Sequence, residues 1–199
     1  CAYNDIVHNT VNNTSGDGSY VSTCIYYNYS ATTYNNARIV NNVFSAPNGA
    51  MCVYCPSTTV LSSCNMLVNN NVYYSPIQYP FRIVNTIYQT LPTYRTALAA
   101  FITNCDSMSI WSQPTFFSAT DLRSITPTLD SMGVVFPSVP DDIDGKTRST
   151  NAPDAGVYEF SRPGDDAGVV TILQPVSPVP VGQNVVRVVI KNYGINTLT

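Results

Sequence analysis

Six cysteines, one histidine and a short run of carboxylates are the groups in this 199-residue chain with the most obvious chemical potential. Cys52-Val53-Tyr54-Cys55 has the spacing of half a zinc site, because two thiolates separated by two residues can reach one tetrahedral ion. The other half is missing: His8 is the sole histidine and no second paired-cysteine motif follows. A nucleophilic triad lacks its base for the same reason, and a catalytic thiol lacks its imidazole. Asp141-Asp142-Ile143-Asp144-Gly145 begins in the manner of a calcium loop, but an EF-hand needs further oxygen ligands and a downstream Glu in register, and the match stops after Gly145. No catalytic residue, metal ligand set or cofactor is therefore assigned.

The elements that would position any site are β-strands. Hydrophobic residues make up 44% of the chain and charged residues only 11%, well under the roughly 25% of an ordinary domain. Polarity is carried instead by Asn, Ser, Thr and Tyr. Val, Ile, Thr and Tyr favour pleated surfaces, and 14 prolines among Asn, Gly and Ser clusters supply turns. The formal charge is −3 with no run of Lys or Arg, which argues against nucleic acid as a partner. No apolar stretch approaches the roughly 20 residues that a membrane span requires. The chain begins at Cys1 without an initiator Met, so it reads as a processed product or part of something longer. An even cysteine count with few lysines points to a secreted or cell-surface setting, with disulfides or buried thiols.

A degenerate repeat organises the first half. Ile6-Val7-His8-Asn9-Thr10-Val11 is echoed by Ile39-Val40-Asn41-Asn42-Val43-Phe44 and by Leu67-Val68-Asn69-Asn70-Asn71-Val72-Tyr73. Between these copies runs a second track, Cys24-Ile25-Tyr26-Tyr27, then Cys52-Val53-Tyr54-Cys55, then Phe81-Arg82-Ile83-Val84. Two strand tracks alternating three times predict an all-β solenoid in which each strand stacks on its copy and Asn at the bends forms a ladder. The competing arrangement is an antiparallel sandwich. In the stacked register Cys24 lies over Cys52, as a disulfide or as neighbouring thiols. Thr90 to Ile102, with a Thr cap, Pro92 in the first turn and Tyr94, Leu98, Phe101 and Ile102 on one side, predicts the one helix. Ser109 to Phe117 reads as a further strand.

Asp142-Ile143-Asp144-Gly145-Lys146-Thr147-Arg148 followed by Pro153-Asp154-Ala155-Gly156-Val157-Tyr158-Glu159-Phe160 resembles the closing segment of pectin-lyase-like right-handed parallel β-helix proteins of bacterial surface and secreted chains. The resemblance covers 1–160, and Ala155, Val157 and Met132 depart from the usual pattern. It implies a right-handed β-helix ended by a structural terminator in which Asp142, Asp144, Gly145, Arg148, Asp154, Gly156 and Glu159 hold turns and ion pairs. Residues 161–167 read as a linker. Residues 168–199 look like the first strands of an incomplete Ig-like module, with Val185, Val186, Val188 and Ile190 as strands able to pair with another copy.

Because many relatives in such a family are lyases or hydrolases, clustered carboxylates with a basic residue, or paired carboxyls across a groove, would be needed for catalysis. The repeats up to Asn85 offer only Asp5, Asp17, Arg38 and Arg82 as charged side chains. The expectation is an extracellular structural or adhesive protein that self-associates, head to tail, through an open β-helix end and orphan Ig-like strands. The alternative is a glycan-binding or polysaccharide-degrading module whose catalytic residues lie elsewhere. Tyr26, Tyr27, Tyr54, Tyr73 and Tyr74 are the candidate platforms for sugar rings, although alternate aromatics of a solenoid point into its core.

Overall fold

Each copy of the first apolar echo folds as two short strands joined by a two-residue bend. His8, Asn41 and Asn70 open the three bends at φ of 54°, 61° and 53°. These are left-handed values that Asn tolerates better than most residues and His adopts more often than a β-branched one. The computed structural model describes residues 5–16, 22–27, 36–63, 65–76, 79–103, 105–161 and 164–197. The chain divides into two units, Cys1–Phe160 and Ser161–Thr199.

The first repeat supplies β1 (Asp5–Val7), β2 (Thr10–Asn12) and β3 (Thr23–Tyr26); the second supplies β4 (Arg38–Val40), β5 (Val43–Ser45) and β6 (Met51–Cys55). A short helix, α1 (Thr58–Ser63), precedes the third repeat of β7 (Leu67–Asn69), β8 (Val72–Tyr74) and β9 (Phe81–Ile83). Then come β10 (Thr86–Tyr88), α2 (Leu91–Leu98) and β11 (Ile110–Trp111). They form three sheets, ordered β1-β4-β7, β11-β8-β5-β2 and β10-β9-β6-β3. All neighbours run parallel except β10, which turns back antiparallel on β9. Stacked parallel strands from successive repeats are compatible with a β-helix.

Three details differ from the sequence reading. There are three strand stacks where two tracks were expected, because the left-handed bend turns each echo through a corner. Ile6, Ile39 and Val68 share a row while Leu67 sits beside Arg38, since the extra Asn of Asn69-Asn70-Asn71 displaces the third copy by one residue. Within the strand expected over Ser109 to Phe117, Ile110 and Trp111 pair with β8 and Phe116 makes an isolated bridge to Ser124, and α1 is an additional helix.

The core lies between the sheets. Phe44 stacks on Tyr73 at 5.8 Å, Tyr73 meets the edge of Phe81 at 5.2 Å, and Phe81 stacks on Tyr94 at 4.3 Å. Each buried ring contributes about 2–3 kcal/mol through apolar area alone. Tyr94 comes from α2. Thr90 caps that helix by accepting the Thr93 N–H at 3.3 Å, Pro92 occupies the first turn, and Leu91, Tyr94 and Leu98 point into the core. Phe101, expected on the same side, is instead exposed beyond the last turn, while Ile102 is buried. The helix covers the third-repeat end, so Val68, Tyr73 and Phe81 are fully buried there. At the other end, Val7, Val11 and Cys24 of the first repeat are only half-buried, although their counterparts Val40, Phe44 and Cys52 are buried.

A turn-rich strap, Leu129 to Phe160, packs on the outer side of the first two sheets. Leu129 and Ala155 cover Val43 and Val72. Val134 is clamped by Asn41, whose Nδ2 donates to the Val134 carbonyl at 2.7 Å and whose Oδ1 accepts the Val134 N–H at 2.9 Å. The Gly156 N–H reaches the Asn41 carbonyl at 2.8 Å, and the Val157 N–H reaches Thr10 Oγ1 at 3.0 Å.

The second unit is an antiparallel pair, β12 (Ala167–Gln174) and β13 (Arg187–Asn192), with two register irregularities. Residues directly opposite share a face. Val169 with Ile190 and Ile172 with Val188 therefore make one side apolar, while Gly168 with Lys191, Thr171 with Val189 and Gln174 with Arg187 make the other mostly polar. Val185 and Val186, expected within this strand, precede it and are exposed.

Candidate functional site

The strands of the third sheet set one row of side chains outward. Tyr26 lies beside Tyr54, Tyr54 beside Arg82, and Arg82 beside Ile87 of β10. The Tyr26 and Tyr54 rings meet edge to face with centroids 5.1 Å apart, and the Arg82 guanidinium lies 4.9 Å from the Tyr54 centroid. Arg82 is steadied from behind: Nε donates to the Val84 carbonyl at 2.7 Å and Nη2 to Asn85 Oδ1 at 3.2 Å. Tyr26 is 47% exposed. Beyond Ile87 the surface opens into a hollow of about 530 Å³ lined by Ile87, Tyr88, Gln89, Thr90, Thr93 and Thr96. This combination offers ring faces, one cation and several hydroxyl and amide groups, which suits stacking and hydrogen bonding to a polar ring.

Of the five tyrosines proposed as platforms, only Tyr26 and Tyr54 come together on this surface. Tyr27 and Tyr73 are buried, which removes them as sugar platforms. Their positions in the strand period turn them inward, where Tyr73 donates to Asp106 at 3.1 Å. Tyr74 belongs to another sheet and faces Trp111 at 6.2 Å. The residues missed are Arg82 as a row member and the polar lining from Gln89 to Thr96. Arg82 could have been found by aligning Phe81-Arg82-Ile83 under Val53-Tyr54-Cys55 and reading down the outward column. The hollow had no sequence signal, since it depends on β10 turning back.

Other polar residues are occupied with holding structure. Asn71 Oδ1 accepts the Asn42 N–H and Nδ2 at 3.0 Å each, and Asn42 Oδ1 accepts the Asn9 N–H at 2.9 Å, forming a ladder that continues into Ser109 through the Asn71 N–H at 2.9 Å. Asp106, fully buried, accepts from Tyr73 and Ser109, and burial raises its pKa above the ordinary carboxylate value.

In the strap, Asp142 uses Oδ1 for the Asp144 and Lys146 N–H groups and Oδ2 for that of Glu159. That leaves little of it for a cation. Arg148 pairs with Glu159 at 3.3 Å and donates to the Gly156 and Val157 carbonyls. Asp154 accepts the Ser131 and Phe160 N–H groups, whereas Asp144 is exposed at the turn that Gly145 completes with φ of 79°. Among the described residues no group of three or more His, Cys, Asp or Glu is arranged to hold a metal ion.

Cys24 and Cys52 are free thiols on neighbouring strands, between register pairs Thr23–Met51 and Ile25–Val53. Cys24 donates to the Ser45 carbonyl and Cys52 to that of Tyr74, each at 3.3 Å. Burial pushes the Cys24 thiol up to about 12 and Cys52 well above its ordinary value. Neither is a ready nucleophile near neutral pH. Cys55 and Cys105 are also buried, and Cys1 and Cys64 lie outside the described residues. Among the described residues, no helix is long and apolar enough to cross a membrane. No protein-family model, curated protein or solved structure matches the chain.

Proposed function

We propose that the chain is a non-enzymatic, extracellular structural or adhesive protein, built on a right-handed parallel β-helix followed by strands of an Ig-like module, that associates with further copies of itself. The observation that carries this reading is the β12–β13 hairpin. Val169, Ile172, Val188 and Ile190 line one face of it and are each more than a third exposed. A two-stranded ribbon is marginal in water without a covering layer. An apolar face of this kind gains free energy when another sheet closes over it. α2 covers the third-repeat end, which favours the hairpin over that end as the route to association.

Sedimentation velocity on the intact chain, with electron microscopy of the same sample, tests this. Ile190→Asp is expected to return the assembled material to single chains. A monodisperse monomer before any substitution would refute self-association.

A glycan-binding role is the second reading, favoured by the Tyr26–Tyr54–Arg82 row. Tyr26→Ala is expected to weaken retention by a bound polysaccharide about fivefold, equivalent to about 1 kcal/mol of stacking. Affinity electrophoresis in gels cast with neutral and acidic polysaccharides reads this directly, and unchanged mobility in every gel for the unsubstituted chain would remove the role.

A further inference from the structure

We propose that the first-repeat end of the stack is an acceptor for one more parallel coil of the same kind, a partner segment with Asn at its bend and β-branched residues on either side. This surface is separate from the hairpin. Among the described residues, β1, β2 and β3 each end their sheet, so three strand edges fall in one layer. An edge strand keeps backbone donors and acceptors with which a further strand can pair.

The backbone rows give the direction of that pairing. The Ile110 N–H donates to the Asn71 carbonyl at 2.9 Å, the Val72 N–H to that of Asn42 at 2.7 Å and the Val43 N–H to that of Asn9 at 2.8 Å. Val72 is the register partner of Val43, and Val43 that of Thr10. The Thr10 N–H is therefore the next donor in the row, directed at the place of a carbonyl in an added coil. The Asn ladder has the same polarity. Asn42 Nδ2 donates to Asn71 Oδ1 at 3.0 Å and Asn9 Nδ2 to Asn42 Oδ1 at 3.1 Å, so each Oδ1 faces the repeat before its own. Asn9 is exposed, and its Oδ1 faces outward on the same pattern. Asn42 and Asn71 also send Nδ2 back one repeat, to the Ile6 and Ile39 carbonyls at 2.8 and 2.9 Å, whereas Asn9 Nδ2 falls on its own Val7 carbonyl at 3.1 Å.

Packing makes the same demand. Val11 and Cys24 already touch the core cluster but are only half-buried, and an apolar run laid over them would bury them as Phe44 and Cys52 are buried. A second copy of this chain does not fit the place. Its third-repeat end carries α2, with Tyr94 stacked on Phe81 at 4.3 Å. Two first-repeat ends turned toward each other would set Asn9 Oδ1 against Asn9 Oδ1, acceptor against acceptor. The interface between the first and second repeats, continued outward by one step, thus calls for a segment that reads like Ile39-Val40-Asn41-Asn42-Val43-Phe44 and comes from outside these three repeats.

Residue-resolved hydrogen exchange of the intact chain tests this, with a synthetic peptide of residues 36–46 as the probe. In the chain alone the Thr10 amide should exchange near its intrinsic rate, while those of Val43 and Val72 are slower by a hundredfold or more, on the order expected for paired core strands. A Thr10 amide as slow as that of Val43 would mean that the edge is already covered, and would overturn the proposal. Excess peptide should slow Thr10 about tenfold. Asn42→Ala in the peptide, or Asn9→Ala in the chain, removes ladder bonds and should raise the peptide concentration required about tenfold. Asn9 is exposed, so that variant keeps the fold. Absence of slowing, or equal potency of the two peptides, would sink the idea. Slowing confined to β12 and β13 would place the peptide on the hairpin, which overturns this inference and leaves self-association through the hairpin standing.

Discussion

Asn71→Ala is expected to lower the unfolding free energy by about 4 kcal/mol, the largest loss from any single side chain in the bend ladder. Asn71 is fully buried, and its amide serves three groups: Oδ1 holds the Asn42 N–H and Nδ2, and Nδ2 satisfies the Ile39 carbonyl at 2.9 Å. Truncation strands these in a dry interior, where each unpaired group costs about 1–3 kcal/mol. The left-handed φ at Asn70 makes the bend dependent on the side chains that follow it. Asn9→Ala at the exposed end of the ladder is the internal comparison, expected to cost under about 1 kcal/mol because water can replace its bonds. Urea unfolding followed by circular dichroism measures both. Equal losses would show that burial does not set the cost.

Gly156→Ala is expected to dislodge the strap, at about 3 kcal/mol or more. Gly156 has φ of 95°, and an added Cβ would lie 2.5 Å from Thr10 Oγ1 and 3.0 Å from Val43 Cγ2. Thr10 cannot retreat freely, because its Oγ1 accepts the Val157 N–H, and Val43 is packed beneath Leu129 and Ala155. Gly145→Ala separates conformational strain from collision. Its φ of 79° is also left-handed, but a Cβ there meets nothing within 4 Å, so the expected loss is only about 1 kcal/mol. Thermal unfolding, with limited proteolysis between Leu129 and Phe160, reads the difference. A similar small loss at both positions would mean that the close contact with Thr10 is not maintained in solution.

The hairpin, the outward row and the strap place three kinds of surface on one chain. Polar side chains buried near the bends are consumed in ladders and turns, whereas the exposed aliphatics of β12 and β13 and the Tyr26–Tyr54–Arg82 row are two surfaces available to a partner. Aliphatic surface favours another sheet, whereas the row favours a polar ring. The two readings of function rest on different residues, and Ile190→Asp and Tyr26→Ala can therefore be judged independently.

Much of the strand stacking was legible along the chain, because burial between repeats demands the same apolar run at the same place in each copy. Ile39-Val40-Asn41-Asn42-Val43 and Cys52-Val53-Tyr54-Cys55 announce themselves on that ground, and Thr90 with Pro92 marks the start of α2. The bends at Gly145 and Gly156 were legible too, since a left-handed φ favours glycine. Tertiary structure alone decided the rest. Whether a tyrosine is a platform or a core ring depends on which side of its strand faces the stack: Tyr26 and Tyr27 are adjacent in sequence and point opposite ways. The contact between His8 Nε2 and the Asn41 amide depends on an orientation imposed by Val134, far along the chain, and the hollow beside Arg82 exists because β10 folds back. Local propensity and repetition are written into short segments. The direction of a side chain and the company of a buried imidazole are set by distant segments closing over them.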